Sequence, residues 1–192
     1  MKDIILIGGG GHCHSVIDVI EQERKFKIAG IIDKPEKLGS MVLGYKVIGT
    51  DDDMPNLLKI YKYAFITFGQ INSSLLRAKM YKKLKKIGFF LPVIISPNAY
   101  VSKNVSVQEG TIIMHHVLIN SNVKIGTNCI INSKALVEHD CSIGDNCHLS
   151  TGSIINGNVV IKSGSFVGSN SITKQEVQIP ENSFIKAGSI VK

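Results

Sequence analysis

The sequence has no tryptophan, few other aromatic residues and no long apolar run. Phe, Trp and Tyr make up 6% of its 192 residues, too few for a nucleic-acid platform built on base stacking. No apolar run reaches the ~18 residues that span a bilayer, and the start, MKDIILIGGGG, lacks the pattern of a secretory leader. Four cysteines without an export signal favour a cytoplasmic protein with reduced thiols. We therefore expect no nucleic-acid partner and no membrane insertion.

Charge is distributed unevenly along the chain. Residues 1–93 carry 15 Lys or Arg and 9 Asp or Glu, whereas residues 94–192 carry 7 and 6. The positive excess is therefore +6 in the first half and +1 in the second. A basic excess of this size suits an anionic small molecule, such as a phosphorylated one. The change of character near residue 93 predicts two domains, 1–93 and 94–192.

The first half has the pattern of a small α/β domain. The apolar run IILI at residues 4–7 is typical of a buried parallel strand; GGGGHCHS, a helical pattern and a second strand ending at Asp33 follow it. A full dinucleotide fingerprint would need glycine at position 13, where Cys13 stands, so we expect half of a Rossmann-like fold without NAD. The glycine loop either presents N–H groups to an anion or is simply a tight turn.

The second half repeats with a period of six residues. Sixteen of the 17 sixth positions from 95 to 191 are aliphatic, with an interruption at Thr173, and the position four places later is small or β-branched. This repeat predicts a parallel β-helix with three hexads in each coil and the aliphatic side chains stacked inside. We expect several glycines to lie in turns that need a positive φ: Gly126, Gly144, Gly157, Gly164 and Gly168.

Cysteines and histidines cluster in ALVEHDCSIGDNCHLSTG, residues 135–152. Cys129, Cys141 and Cys147 all occupy the small inward position, so we expect them to be buried packing residues. This argues against a zinc site, because tetrahedral coordination needs four convergent donors. His139 and His148 lie outside both inward positions and should point outward or into a turn.

His139 is flanked by Glu138 and Asp140, a carboxylate pair able to hold its imidazole and raise its basicity. His148 follows nine residues later, which is half a coil, so the two histidines should lie on different faces of one chain. They could meet only across a crevice between neighbouring prisms. This predicts an oligomer, most simply a threefold one.

GGGGH in a short nucleotide-fold domain, together with VEHDCSIGDNCHLSTGSIINGNV, resembles the hexapeptide-repeat acyltransferases. The similarity is to the branch that contains the sialic acid O-acetyltransferases and the N-acetyltransferases of UDP-4-amino-6-deoxy sugars and GDP-perosamine. The resemblance implies an α/β N-terminal half-Rossmann-like domain followed by an all-β left-handed parallel β-helix. It also implies acetyl-CoA as co-substrate, no metal, and a homotrimer with active sites between subunits.

The resemblance implies roles for particular residues as well. His139 would be the general base, and Asp140 or Glu138 would stabilise the imidazolium that forms. His148 and Gly157 would line the acetyl-CoA site. The substrate-binding residues would be Asn132 near the sugar and, for the nucleotide, Gly8, Gly10, Gly11, His12 and Asp33.

The basic glycine-loop domain favours N-acetylation of a nucleotide-linked amino sugar of the UDP-4-amino-4,6-dideoxy type. The alternative is O-acetylation of a sialic-acid-like sugar, in which the same base would activate a hydroxyl. A β-helix carbonic anhydrase would need three histidines on zinc, and His115, His116, His139 and His148 lack that spacing. A non-enzymatic ice-binding prism would need flat outward rows of threonine, which the sequence does not show.

Overall fold

The computed structural model describes residues 1–192, which group into two compact units. One unit is Met1–Gly69 with Lys79–Pro92, and the other is Gln70–Ala78 with Val93–Lys192. Residues 70–78 therefore group with the second unit, although they precede the boundary expected at residue 93. None of the helices combines the length and the apolar character needed to cross a membrane.

The first unit is built on a five-stranded sheet of β1 (Lys2–Ile7), β2 (Phe26–Ile32), β3 (Met41–Val42), β4 (Tyr45–Gly49) and β5 (Tyr63–Ile66). The order of the strands in the sheet is β3-β4-β2-β1-β5. All neighbouring strands are parallel except the β3–β4 hairpin. Residues 4–7 of β1 are buried, since β1 is an inner strand that lies between β2 and β5 in a largely parallel sheet. The helices are α1 (Gly11–Glu23), α2 (Met54–Leu57) and α3 (Leu75–Ile87). The first residues of α3 group with the second unit.

The second unit is a triangular coil of two-residue strands. Each strand within a face pairs in parallel with the strands 18 residues before and after it, as Ile131 does with Ile113 and Leu149, and each terminal strand pairs with one. The strands are β6 (Ile94–Ile95), β7 (Tyr100–Val101), β8 (Ser106–Val107), β9 (Ile112–Ile113), β10 (Leu118–Ile119), β11 (Lys124–Ile125), β12 (Ile130–Ile131), β13 (Leu136–Val137), β14 (Ser142–Ile143), β15 (His148–Leu149), β16 (Ile154–Ile155), β17 (Val160–Ile161), β18 (Phe166–Val167), β19 (Ile172–Thr173), β20 (Gln178–Ile179), β21 (Phe184–Ile185) and β22 (Ile190–Val191).

Three parallel sheets form the faces of this prism. Face 1 contains β7, β10, β13, β16, β19 and β22; face 2 contains β8, β11, β14, β17 and β20; face 3 contains β6, β9, β12, β15, β18 and β21. The prediction of an α/β domain followed by a left-handed parallel β-helix is confirmed. The period of six placed the inward residues correctly, because the aliphatic position is buried through the middle coils.

The residues at the left-handed turns differ from the prediction, which placed five glycines there. A positive φ recurs at every sixth position from 110 to 188, and asparagine occupies six of these fourteen positions. Among the five glycines expected there, only Gly164 has a positive φ. Gly126 and Gly168 instead allow neighbouring coils to approach, since a Cβ at Gly126 would lie 2.7 Å from the Asp145 nitrogen. Asparagine supplies the left-handed turns because its short amide side chain tolerates that region better than most residues.

The inward cysteines join adjacent coils as well as filling space. All four cysteines are buried free thiols. The Cys129 thiol donates to the Gly144 carbonyl at 3.1 Å and accepts from the Cys147 N–H at 3.4 Å. Burial is the main cause that raises the pKa of Cys129 well above its usual value, so this thiol stays protonated. The cysteines of the 135–152 cluster therefore belong to the core, as expected.

Candidate active site

His139 lies at the corner where the chain passes from face 1 to face 2. It follows β13, and its Nδ1 is 2.8 Å from Asp140 Oδ2. Asp140 occupies one of the left-handed turn positions, with φ 61°. Aspartate is among the few residues that tolerate this conformation. The turn thus places a carboxylate directly beside the ring of the preceding residue.

This contact determines which ring nitrogen of His139 can act as a base. The neutral ring donates Nδ1–H to the Asp140 carboxylate, which leaves the lone pair on Nε2. The hydrogen bond from His139 contributes most to lowering the pKa of Asp140, and the hydrogen bond from Asn122 contributes next. The Asp140 carboxylate is therefore ionised at neutral pH. The His139 side chain is 53% exposed. Nε2 is therefore an accessible proton acceptor whose opposite nitrogen is held by an anion.

Gly157 lies one coil after His139 and makes room for its ring. A Cβ at Gly157 would lie 2.8 Å from both Cε1 and Nε2 of His139. The resemblance assigned this glycine to a close approach by the cofactor. In the single chain, the group that approaches it is the imidazole of the candidate base.

Replacing Gly157 with alanine is expected to displace the His139 ring and lower kcat, while the protein remains folded. The ring is exposed and can rotate away from the new methyl group, so the coil itself need not shift. Steady-state kinetics and circular dichroism measure the two effects. Unchanged kcat in a folded Gly157→Ala protein would show that this ring position does not matter for turnover.

Glu138 does not share the role of Asp140 in the structure. Its Oε2 accepts from Asn120 Nδ2 at 2.8 Å, so its carboxylate is directed to the preceding coil. Both acids are adjacent to His139 along the chain. Only Asp140, at the left-handed turn position, contacts the ring.

His148 lies on face 3, but it is not exposed as expected. Its side chain points outward from the coil and is covered by residues 70–78, which leaves the residue 6% exposed. Nδ1 donates to the Gln70 carbonyl, and Nε2 is 3.2 Å from Asn132 Nδ2. Burial lowers the pKa of His148 to about 4, so the ring is neutral at physiological pH. The acetyl-CoA contact implied by the resemblance would have to be made by the small exposed part of this residue.

The predicted residues of the second unit thus form two groups. The base group is His139, Asp140 and Gly157, and the amide–imidazole pair is Asn132 and His148. Asn132 follows β12 at the corner between faces 3 and 1, whereas His139 is at the corner between faces 1 and 2. The two groups therefore border face 1 from opposite sides.

Face 1 carries an exposed apolar row that the sequence analysis missed. The parallel register aligns its outward residues along the whole prism, and four of them are at least 38% exposed: Tyr100, Leu118, Ile172 and Ile190. Leu136 and Ile154 continue the row between them. An exposed apolar patch of this length marks an interaction surface. The row could have been found by applying the period of 18 to outward positions.

The first coils of face 2 are polar and form a groove beside Asp140. The cavity has a volume of about 580 Å³ and is lined by Asn104, Ser106, Asn122, Lys124, Asp140, Cys141 and Ser142. No group of three or more His, Cys, Asp or Glu side chains is arranged to hold a metal ion in the chain.

His115 contacts Ser96, with 2.7 Å between His115 Nδ1 and Ser96 Oγ, and His116 occupies a left-handed turn.

The glycine loop of the first unit is organised by Asp33. Its Oδ2 accepts a hydrogen bond from the Gly9 N–H at 2.8 Å, and its Oδ1 accepts one from the Lys34 N–H at 2.8 Å. Lys37 Nζ lies 3.3 Å from Oδ2. Burial opposes ionisation, but the Lys34, Gly9 and Lys37 contacts together hold the pKa of Asp33 below its usual value. Asp33 thus fixes the loop through Gly9, which lies between the predicted Gly8 and Gly10.

The other loop residues differ in what they require. Gly8 has φ 100°, which favours glycine, whereas a Cβ at Gly10 or Gly11 would meet no atom within 4 Å. The backbone at Gly10 and Gly11 therefore borders open space at the start of α1. His12 lies on the first turn of α1. A Cβ added at Gly69 would lie 3.9 Å from the Cβ of His12.

Family models match both parts of the chain. The PglD N-terminal domain matches residues 3–84, and the bacterial transferase hexapeptide (six repeats) matches residues 122–157. No curated protein sequence is significantly similar to the chain.

Solved structures match the chain over its whole length. The acetyltransferase domain of PglB from Neisseria gonorrhoeae FA1090 gives a TM-score of 0.91 at 25% identity, covering 100% of this chain and 92% of that chain. The same domain in complex with acetyl coenzyme A gives 0.89 at 24% identity, covering 99% and 92%. A mutant perosamine N-acetyltransferase from Caulobacter crescentus, in complex with CoA and GDP-perosamine, gives 0.75 at 28% identity, covering 100% and 89%.

Proposed function

Since the chain belongs to the hexapeptide-repeat sugar acetyltransferases, we propose that it acetylates the amine of a nucleotide-linked amino sugar, using acetyl-CoA and His139 as general base. The observation that carries this proposal is the contact between His139 Nδ1 and the ionised Asp140 carboxylate, which leaves an accessible Nε2. The perosamine N-acetyltransferase, solved with CoA and GDP-perosamine, supports an amine acceptor and a nucleotide-linked sugar.

The reaction needs one base and no covalent intermediate on the protein. The sugar amine attacks the thioester carbonyl, so a C–N bond forms and the C–S bond breaks. His139 Nε2 takes the amine proton, and the resulting imidazolium can return it to the departing CoA thiolate. Asp140 stabilises the imidazolium through Nδ1–H. Holding both substrates together supplies much of the acceleration, worth up to ~7–11 kcal/mol in well-oriented cases.

The nucleotide part of the acceptor is assigned to the first unit. The open backbone at Gly10 and Gly11, at the N-terminus of α1, suits an anionic phosphate. Asp33 acts there mainly by holding Gly9 and shaping the loop. His12, on the first turn of the same helix, would lie beside the bound nucleotide.

The apolar row on face 1 supports a homotrimer. Three prisms that turn this face toward a common axis would bury the row. Because the base group and the amide–imidazole pair border face 1 on opposite sides, each crevice would then combine His139 of one subunit with Asn132 and His148 of the next. The half-coil offset between the two histidines requires such an arrangement if both act in one site.

A thiol-release assay with acetyl-CoA tests the proposed reaction. The acceptors are UDP- and GDP-linked 4-amino sugars, their 4-hydroxy counterparts and sialic acids. We expect thiol release only with a nucleotide-linked amino sugar, and a product that resists hydroxylamine because it is an amide. Release only with sialic acids, giving a hydroxylamine-sensitive ester, would support the O-acetyltransferase alternative. The absence of thiol release with every acceptor of the panel would contradict the proposal.

A further inference from the structure

Two asparagines of the preceding coil each hold one of the acids beside His139. Asn122 Nδ2 donates to Asp140 Oδ1 at 3.1 Å, and Asn120 Nδ2 donates to Glu138 Oε2 at 2.8 Å. Both asparagines lie 18 residues before the acid that they contact, so they occupy the same corner one coil earlier. Neither asparagine contacts His139 in these hydrogen bonds. They form a second layer behind the candidate base.

We propose that Asn120 and Asn122 are positioning residues that select Asp140, and not Glu138, as the partner of His139. Asn122 holds one carboxylate oxygen of Asp140 and leaves the other oxygen for His139 Nδ1. Asn120 keeps Glu138 directed to the preceding coil. The assignment to catalysis rests on the proposed function, but the selection of Asp140 is a property of the resting protein.

The selection matters because it fixes the tautomer of the base. Asp140 can stabilise Nδ1–H only while its Oδ2 faces the ring. Asp140 is on an exposed turn, so nothing but the Asn122 amide and His139 itself is seen to orient its carboxylate. If Asp140 turns away, neutral His139 can place its proton on Nε2, where it can no longer accept the amine proton. A freed Glu138 could compete for the same ring.

Replacing Asn122 with glycine removes the amide and keeps the turn. Glycine accepts the φ of 62° at this position without strain. We expect kcat to fall about tenfold, the size of losing one hydrogen bond to a charged group, with KM for acetyl-CoA unchanged. Nitrogen-15 NMR of neutral His139 is expected to show a shift from the Nδ1–H form toward a mixture of tautomers. The NMR readout needs no acetyl transfer, so it separates failure of this inference from failure of the proposed reaction.

Further variants control for the backbone and test the route of the effect. Asn170→Gly changes a turn of the same left-handed conformation, with φ 55°, at the corner between faces 3 and 1, and should leave both kcat and the His139 tautomer unchanged. Asn122→Asp retains the size of the side chain but places a carboxylate against Asp140, so a larger loss than with glycine is expected. As a single substitution, Asn120→Ala should lower kcat. In a protein that already carries Glu138→Ala, it should have no further effect on kcat. Normal kcat and unchanged nitrogen-15 shifts in Asn122→Gly would overturn the proposal.

Discussion

Replacing His139 with alanine is expected to lower kcat by about 10²–10⁴-fold, the usual contribution of a general base. The variant loses the only proton acceptor that Asp140 holds in place at this corner, whereas the coil around it is unchanged. KM for acetyl-CoA should stay within a few fold, because the ring acts on the proton and not on the cofactor. Steady-state kinetics with the preferred acceptor measure both constants.

A second histidine provides a matched control. His116 is exposed and also lies in a turn of the β-helix, with φ 59°. His116→Asn retains a residue that tolerates this conformation and should leave kcat unchanged. If His139→Ala turned over at a near-normal rate, His139 would be excluded as the base and the proposed mechanism would have to be abandoned.

The inward half of the β-helix could be predicted from the sequence because burial imposes a strict period. A side chain every sixth residue must fit the same interior, so the aliphatic and small positions are visible without a structure. The outward half follows no such rule within a single hexad. The apolar row becomes visible only at a period of 18, when residues of one face are compared across coils.

The environment of His148 could not have been predicted from its own neighbourhood. Its Nδ1 partner is the Gln70 carbonyl, 78 residues earlier in the chain. The hexad logic correctly placed the side chain outside the coil, but it contains nothing about residues 70–78. Glu138 differed for a local reason, since a position that looks equivalent to Asp140 along the chain is not a left-handed turn position. Asparagine at six of the fourteen turn positions was a signal for these turns that the sequence already contained.

Introducing charge into the apolar row is expected to separate the subunits of the proposed trimer and to abolish most activity. Leu118→Glu combined with Ile172→Glu places two carboxylates on face 1, at positions that are each 38% exposed in the single chain. Burying these charges against another apolar row would be strongly unfavourable. Light scattering should show a monomer that circular dichroism finds folded. We expect kcat/KM to fall by at least about 100-fold, because the crevice that unites the two residue groups would be lost.

The control places a single carboxylate on another face. Gln178 is an exposed outward residue of face 2, so Gln178→Glu should leave both assembly and activity unchanged.

A mixing experiment tests whether the site is shared between subunits. Subunits carrying His139→Ala and subunits carrying Asn132→Ala, each expected to be inactive alone, are unfolded and refolded together. In a random trimer about a quarter of the crevices would pair an intact His139 with an intact Asn132 of the neighbour. Recovery of that order requires two chains per site. No recovery, or a fully active monomer of the charged variant, would place the complete site within one chain.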